Sequence, residues 1–141
     1  MIPVIDLFAG PGGLGEGFSS ITDESGERAF KTIMSVEKDE QAHKTLRLRA
    51  YVRSIKQKGK RIPHAYERYL QKHDAKSFNE LITYDPEAWE AAGIEALCAT
   101  LKEGDTSLVE EARARLKRQG VQSGRPWVLI GGPPCQAYSL V

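Results

Sequence analysis

Residues Ile2 to Phe8 read IPVIDLF and run directly into Ala9-Gly10-Pro11-Gly12-Gly13-Leu14-Gly15. A short apolar run that ends in glycines is the pattern of a buried parallel strand. Four glycines fall within six residues, and Gly10, Gly12 and Gly15 have the spacing G-x-G-x-x-G. The predicted unit is a strand, a tight turn and a helix over Leu14 to Ser20. Such a turn lets a cofactor lie against bare backbone at the carboxyl edge of a sheet. By itself the pattern fits NAD, or a tight strand-to-helix turn that holds no ligand.

The rest of the chain alternates in the same way. Lys31 to Val36 reads as a second strand, with Glu37 at its tip. Asp39 is placed to cap a helix running to about Tyr51. Residues 52–103 are helical in character, with Asp85-Pro86 a good helix start: an acid at the N-cap, then proline at N1. Ser107 and Glu110 fit a capping box ahead of a charged helix to about Gln119. Trp127 to Ile130 is the next strand. Strands alternating with helices predict an α/β fold around a parallel sheet with right-handed crossovers.

Composition sets broad limits. The 141 residues suit one domain with a usable core. Two cysteines, Cys98 and Cys135, make no disulfide framework, and neither a secretory signal nor a membrane-length apolar run is present. His43, His64 and His73 have no metal-ligand spacing with either cysteine, so no metal site is expected. Net charge is only +1, but it is unevenly spread. Residues 44–72 carry net +9 and residues 74–111 carry net −8. The basic block reads as a phosphate-binding surface, or as a solvated helical face that pairs with the acidic block. The second is the commoner meaning of such runs.

The last apolar run leads into Gly131-Gly132-Pro133-Pro134-Cys135-Gln136. A residue before proline is pushed out of the α region and proline fixes φ, so Cys135 sits on a stiff loop and not on a helix. That is a setting for a nucleophile. Cys98, in Glu95-Ala96-Leu97-Cys98-Ala99, reads instead as a small buried hydrophobe. Glu37 lies about twenty residues beyond the glycine turn, at a strand tip. There a carboxylate can accept hydrogen bonds from both hydroxyls of an adenosine ribose.

DLFAGPGGLG together with GGPPCQ resembles the DNA cytosine-5 methyltransferases. The first motif is similar to their S-adenosylmethionine turn and the second to their catalytic Pro-Cys loop. The resemblance covers Ile2 to about Leu48 and about Gly104 to Val141. It implies part of a Rossmann-like S-adenosylmethionine-dependent methyltransferase fold, carrying a helical insertion over about 52–103. It favours S-adenosylmethionine over NAD. Phe8, Gly10, Gly12 and Leu14 would line the methionine and adenine side of the cofactor, and Glu37 would hold the ribose. Lys38 stands where the family often carries an apolar side chain against the adenine. Gly104-Asp105-Thr106 resembles the third short motif, whose acid accepts from the adenine amino group. Pro134 would sit near the transferred methyl and Cys135 would be the nucleophile.

The implied chemistry explains the cysteine. Carbon 5 of cytosine attacks a methyl sulfonium poorly. Thiolate addition at carbon 6 makes carbon 5 enamine-like, so it takes the methyl; loss of the carbon 5 proton then expels the thiolate. The cytosine must flip out of the DNA duplex to be reached.

The family's Glu-Asn-Val and Gln-x-Arg-x-Arg motifs and its target-recognition domain have no match in these residues. The expectation is therefore the N-terminal portion of a larger bacterial-style modification enzyme, cytoplasmic and acting on DNA, with little turnover by this chain alone. It would be completed by the rest of its chain or by a complementary subunit. A tRNA cytosine-5 methyltransferase, or a non-catalytic split subunit that binds S-adenosylmethionine, stays open. The extra central segment, with Tyr51, Tyr66, Tyr69, Phe78 and Tyr84, could extend the DNA contact, dock another domain or form a helical cap.

Overall fold

The computed structural model describes residues 1–121 and 124–133. Ten elements follow in order: β1 (Ile2–Leu7), α1 (Gly13–Ser20), β2 (Phe30–Glu37), α2 (Glu40–Gln57), α3 (His64–Lys72), α4 (Ala75–Tyr84), α5 (Pro86–Glu95), β3 (Ala96–Cys98), α6 (Ser107–Arg118) and β4 (Val128–Gly131). The strands form one sheet in the order β3-β2-β1-β4, and every pairing is parallel. The α/β expectation holds. Because the chain leaves β1 in one direction to β2 and later returns to its other side as β4, strand order reverses beside β1. In open parallel sheets that reversal opens a crevice at the carboxyl ends.

Local chemistry sets several of these boundaries. Asp39 caps α2, its Oδ1 accepting from the amides of Gln41 (3.1 Å) and Ala42 (2.8 Å). Asp85 caps α5 by accepting from Ala88 N, with Pro86 at the first helical position. Both caps were legible in advance. The helix at Asp39 runs past the expected Tyr51, to Gln57, because Ile55 is fully buried and continues its apolar face. α6 opens differently from the expected box. Ser107 is its first helical residue, Thr106 is the N-cap, and the Thr106 hydroxyl donates to Glu110 at 3.0 Å.

The segment 52–103, read as helical in character, also holds strand β3. Ala96–Cys98 pairs with Ser35–Glu37. The same segment builds its own core on α2, where Leu48, Tyr51 and Ile55 meet Ala65, Leu81, Ala88 and Ala92. Tyr51 is wholly buried and its hydroxyl donates to Leu81 O at 2.6 Å, so its polar tip is satisfied. A second cluster, Ile5, Ile33, Met34 and Val36, packs the sheet against Leu108, Ala112 and Leu116 of α6.

The charge blocks pair with each other. Arg53 bonds Glu95 as well as Glu16, Arg68 bonds Glu80, and Lys58 and Lys60 reach the two oxygens of Asp85 at 2.9 and 2.8 Å. Part of the basic run is thus neutralised within the fold. Among the described residues no helix is long and apolar enough to cross a membrane.

Candidate cofactor cavity at the carboxyl edge of the sheet

All four strands end at one cavity of about 290 Å³. Phe8 follows β1, Glu37 and Lys38 end β2, Ala99, Thr100 and Leu101 follow β3, and Gly132 follows β4; Gly10 and Val36 complete the lining. Parallel strands end on the same edge, so residues far apart in sequence meet there without any local signal joining them.

The glycine turn is held to the end of β2 by Glu37. Its Oε2 accepts the Gly10 amide at 2.8 Å and its Oε1 accepts the Asp39 amide at 2.8 Å. Gly10 has φ +55°, and a Cβ placed there would meet no atom within 4 Å. The backbone at that point is bare and open. Phe8 also adopts a left-handed backbone, φ +56°, which is uncommon for a bulky residue and typical of functional turns.

Not every expected residue reaches the cavity. Gly12 is the N-cap of α1, with φ +91°, and a Cβ there would lie 2.8 Å from Leu46 Cδ1. Gly12 is therefore required by the turn and by the close approach of α2, and it does not line the cavity. Leu14 is half-exposed on α1 and does not line it either. Asp105 and Thr106 lie away from the lining. The Asp105 carboxylate accepts Ser107 N at 2.9 Å at the start of α6, and that bond holds its pKa below the usual carboxylate range. Asp105, expected beside the adenine, stands at the start of α6. Ala99, Thr100 and Leu101, which follow β3, line the cavity. Cys98, expected to be buried, is exposed at the end of β3 opposite Glu37. Pro134 and Cys135 lie outside the described residues.

Asp6 lies behind the glycine turn and does not line the cavity. It is completely buried on β1, and neither carboxylate oxygen has a partner at hydrogen-bonding geometry among the described residues. Burial pushes its pKa up to about 6, and the Gly15 amide offsets part of that rise. A Cβ at Gly15 would come 3.3 Å from Asp6 Oδ2, so the last glycine of the turn gives this carboxyl its room. Among the described residues no group of three or more His, Cys, Asp or Glu is arranged to hold a metal.

The family model of C-5 cytosine-specific DNA methylase matches residues 2–78, more than half of the chain. That match takes in β1, the glycine turn, β2, α2 and α3, and so extends past Leu48 into the central helices. The Type II methyltransferase M.Bpa9945I of Bacillus paralicheniformis is 32% identical over an alignment of 149 residues covering 98% of this chain and 32% of that protein. The chain therefore spans about a third of the length of that relative. No solved structure matches it. With the glycine turn, the strand-tip glutamate and the parallel sheet already in place, the chain belongs to the C-5 cytosine-specific DNA methylases.

Proposed function

We propose that this chain supplies the S-adenosylmethionine cavity and the nucleophile of an enzyme that methylates carbon 5 of cytosine in DNA. One observation carries the reading: the ends of all four parallel strands line a single cavity, and the glycine beside it, Gly132, precedes Cys135 by three residues. A fully extended link of that length spans at most about 11 Å.

The lining fits the cofactor. Gly10 leaves open the space a side chain would fill. Each Glu37 oxygen accepts one backbone amide and keeps a lone pair for a ribose hydroxyl. Phe8, Val36 and Leu101 offer apolar surface for a purine, and Thr100 offers a hydroxyl. Lys38 also borders the cavity, and its aliphatic stem can cover a ring face while its ammonium stays in water. When bound, S-adenosylmethionine supplies a methyl group activated by a sulfonium centre.

The chain's own part in the reaction is positional and nucleophilic. Cys135, as thiolate, adds to carbon 6 of a flipped cytosine, which makes carbon 5 able to accept a methyl. Loss of the carbon 5 proton re-forms the ring double bond and expels the thiolate. Pro134 stiffens the loop and stands next to the reacting sulfur in sequence. The relative's greater length supports a larger protein in which other residues hold the base and read the DNA.

The test is transfer of labelled methyl from S-adenosylmethionine to DNA by the whole protein. Transfer should vanish in Cys135→Ala. Duplex DNA with 5-fluorocytosine should give a denaturant-resistant adduct, because fluorine cannot leave as the proton does. Transfer to tRNA in place of DNA would move the substrate class, and transfer that survives Cys135→Ala would remove the covalent role.

A further inference from the structure

A second cavity, of about 580 Å³, lies within the helical unit. It shares no lining residue with the cofactor cavity. Two kinds of side chain meet in it. Tyr69, Phe78 and Trp89 form an aromatic wall, with Phe78 centred 5.2 Å from Tyr69 and 5.5 Å from Trp89. Lys44, Arg47 and His73 bring cationic or protonatable groups to the same space.

Arg47 is the informative member. Its guanidinium lies 3.9 Å from the centre of the Trp89 ring and donates to Trp89 O at 3.2 Å. Gly93 makes room for it, since a Cβ there would fall 2.8 Å from Nη2. The group is therefore held in place before any ligand arrives. Its Nε is buried and has no hydrogen-bond partner among the described residues. Arg53, Lys58, Lys60 and Arg68 of this unit are each answered by an acid. Lys44 and Arg47 have no such partner among the described residues. The one carboxylate in the lining, Asp74, is turned to the α4 N-cap, where it accepts from Ser77 N at 2.7 Å and Ser77 Oγ at 2.9 Å.

A fixed guanidinium without a counter-ion asks for an anion, and an aromatic wall asks for a flat ring. We infer that this cavity binds a nucleoside phosphate, with the base against Tyr69, Phe78 and Trp89 and the phosphate on Lys44 and Arg47. The same chemistry can come from a free nucleotide or from an unstacked nucleotide of a single strand.

The test uses the chain with Trp127→Phe, which leaves Trp89 as its one tryptophan. Excess S-adenosylhomocysteine blocks the cofactor cavity, and the probe is a pyrimidine nucleotide, thymidine 5′-phosphate. The expected result is a saturable change in Trp89 fluorescence with Kd below about 1 mM. Thymidine without phosphate should bind at least tenfold more weakly. Lys44→Glu should weaken the nucleotide at least tenfold; this side chain is exposed, so the fold should persist by circular dichroism. Arg47→Gln should act in the same direction. A short 5′-phosphorylated oligothymidylate gives the second arm. If it binds, and binding falls in Lys44→Glu, while the free nucleotide does not bind, the natural source is a strand. The inference is overturned if neither probe binds, if S-adenosylhomocysteine competes, or if binding is unchanged in both Lys44→Glu and Arg47→Gln.

Discussion

The carboxylate of Glu37 accepts the amide of Gly10 at 2.8 Å, joining the tip of β2 to the glycine turn across 27 residues of sequence. This bond ties together two sides of the cavity. It also gives Glu37 two tasks, since the same side chain is proposed to hold the ribose.

Those tasks separate in two substitutions. Glu37→Gln keeps one acceptor oxygen and loses the charge, so it can hold Gly10 or Asp39 but not both. Glu37→Ala loses both amide bonds and the ribose contact. A hydrogen bond to a charged group contributes about 1.5–3 kcal/mol, or roughly 10- to 100-fold in affinity. Calorimetry with S-adenosylmethionine should give a loss near the lower figure for glutamine and at or above the higher one for alanine. Equal affinity in all three proteins would exclude the ribose contact.

Asp6 should make stability depend on pH. Its folded pKa, about 6, lies above the ordinary 3.8 because burial disfavours the carboxylate. Between those values the native chain binds more protons than the unfolded one. Stability therefore falls as pH rises from about 4 to about 6, and levels off above that window. The full loss is up to ~3 kcal/mol. Asp6→Asn should flatten the slope in urea melts taken across that range. A wild-type profile that rises with pH in this window would contradict the assignment.

Asp85 acts in the opposite sense. Lys60 and Lys58, then the Ala88 amide, hold its carboxyl well below the usual carboxylate range. Its contribution is present above the unfolded value near 3.8 and is lost as pH falls below it. Asp85→Asn keeps an acceptor for Ala88 but weakens both lysine contacts, and Asp85→Ala removes the cap as well. Loss of the cap alone costs about 1 kcal/mol. Thermal melts should rank wild type above Asn above Ala, and the gap between wild type and Asn should shrink near pH 3. Equal melting of Asn and Ala would mean that the cap contributes nothing.

Much of the framework is written locally. The apolar run before Gly10, the acid at Asp39 and the Asp85-Pro86 pair each announce their element by their own chemistry. β3 does not. Ala96, Leu97 and Cys98 have no strong strand preference and follow a helix directly; they become a strand by pairing with Ser35–Glu37. Thr100 lines the cavity because it follows β3, a placement with no strong local signal either. Asp105, which the motif resemblance places beside an adenine, accepts the Ser107 amide at the start of α6. The only signal available was a short apolar stretch, ALCATL, preceding that acid. The meaning of the charge blocks was likewise tertiary, because Lys58 and Lys60 meet Asp85 only once α2 and α5 pack together.

The adjacent glycines before the Pro-Pro-Cys run should respond differently to the same change. Gly131 pairs with Leu7 in the sheet, and a Cβ there would run into the Leu7 carbonyl oxygen. Backbone is not a flexible neighbour, so Gly131→Ala must push β4 away from β1 and weaken their pairing. Overpacking of this kind costs about 1–3 kcal/mol. At Gly132 the nearest atom to an added Cβ is Phe8 O, at 4.0 Å, an ordinary contact. Gly132→Ala should therefore fold with a melting temperature close to wild type, while Gly131→Ala should melt several degrees lower. Cofactor titration completes the comparison. Because Gly132 lines the cavity and Gly131 does not, an alanine at Gly132 should alter S-adenosylmethionine affinity without altering the melt of the unliganded protein. If the two variants melt alike, the close approach of β4 to Leu7 does not govern the edge where the proposed site is built.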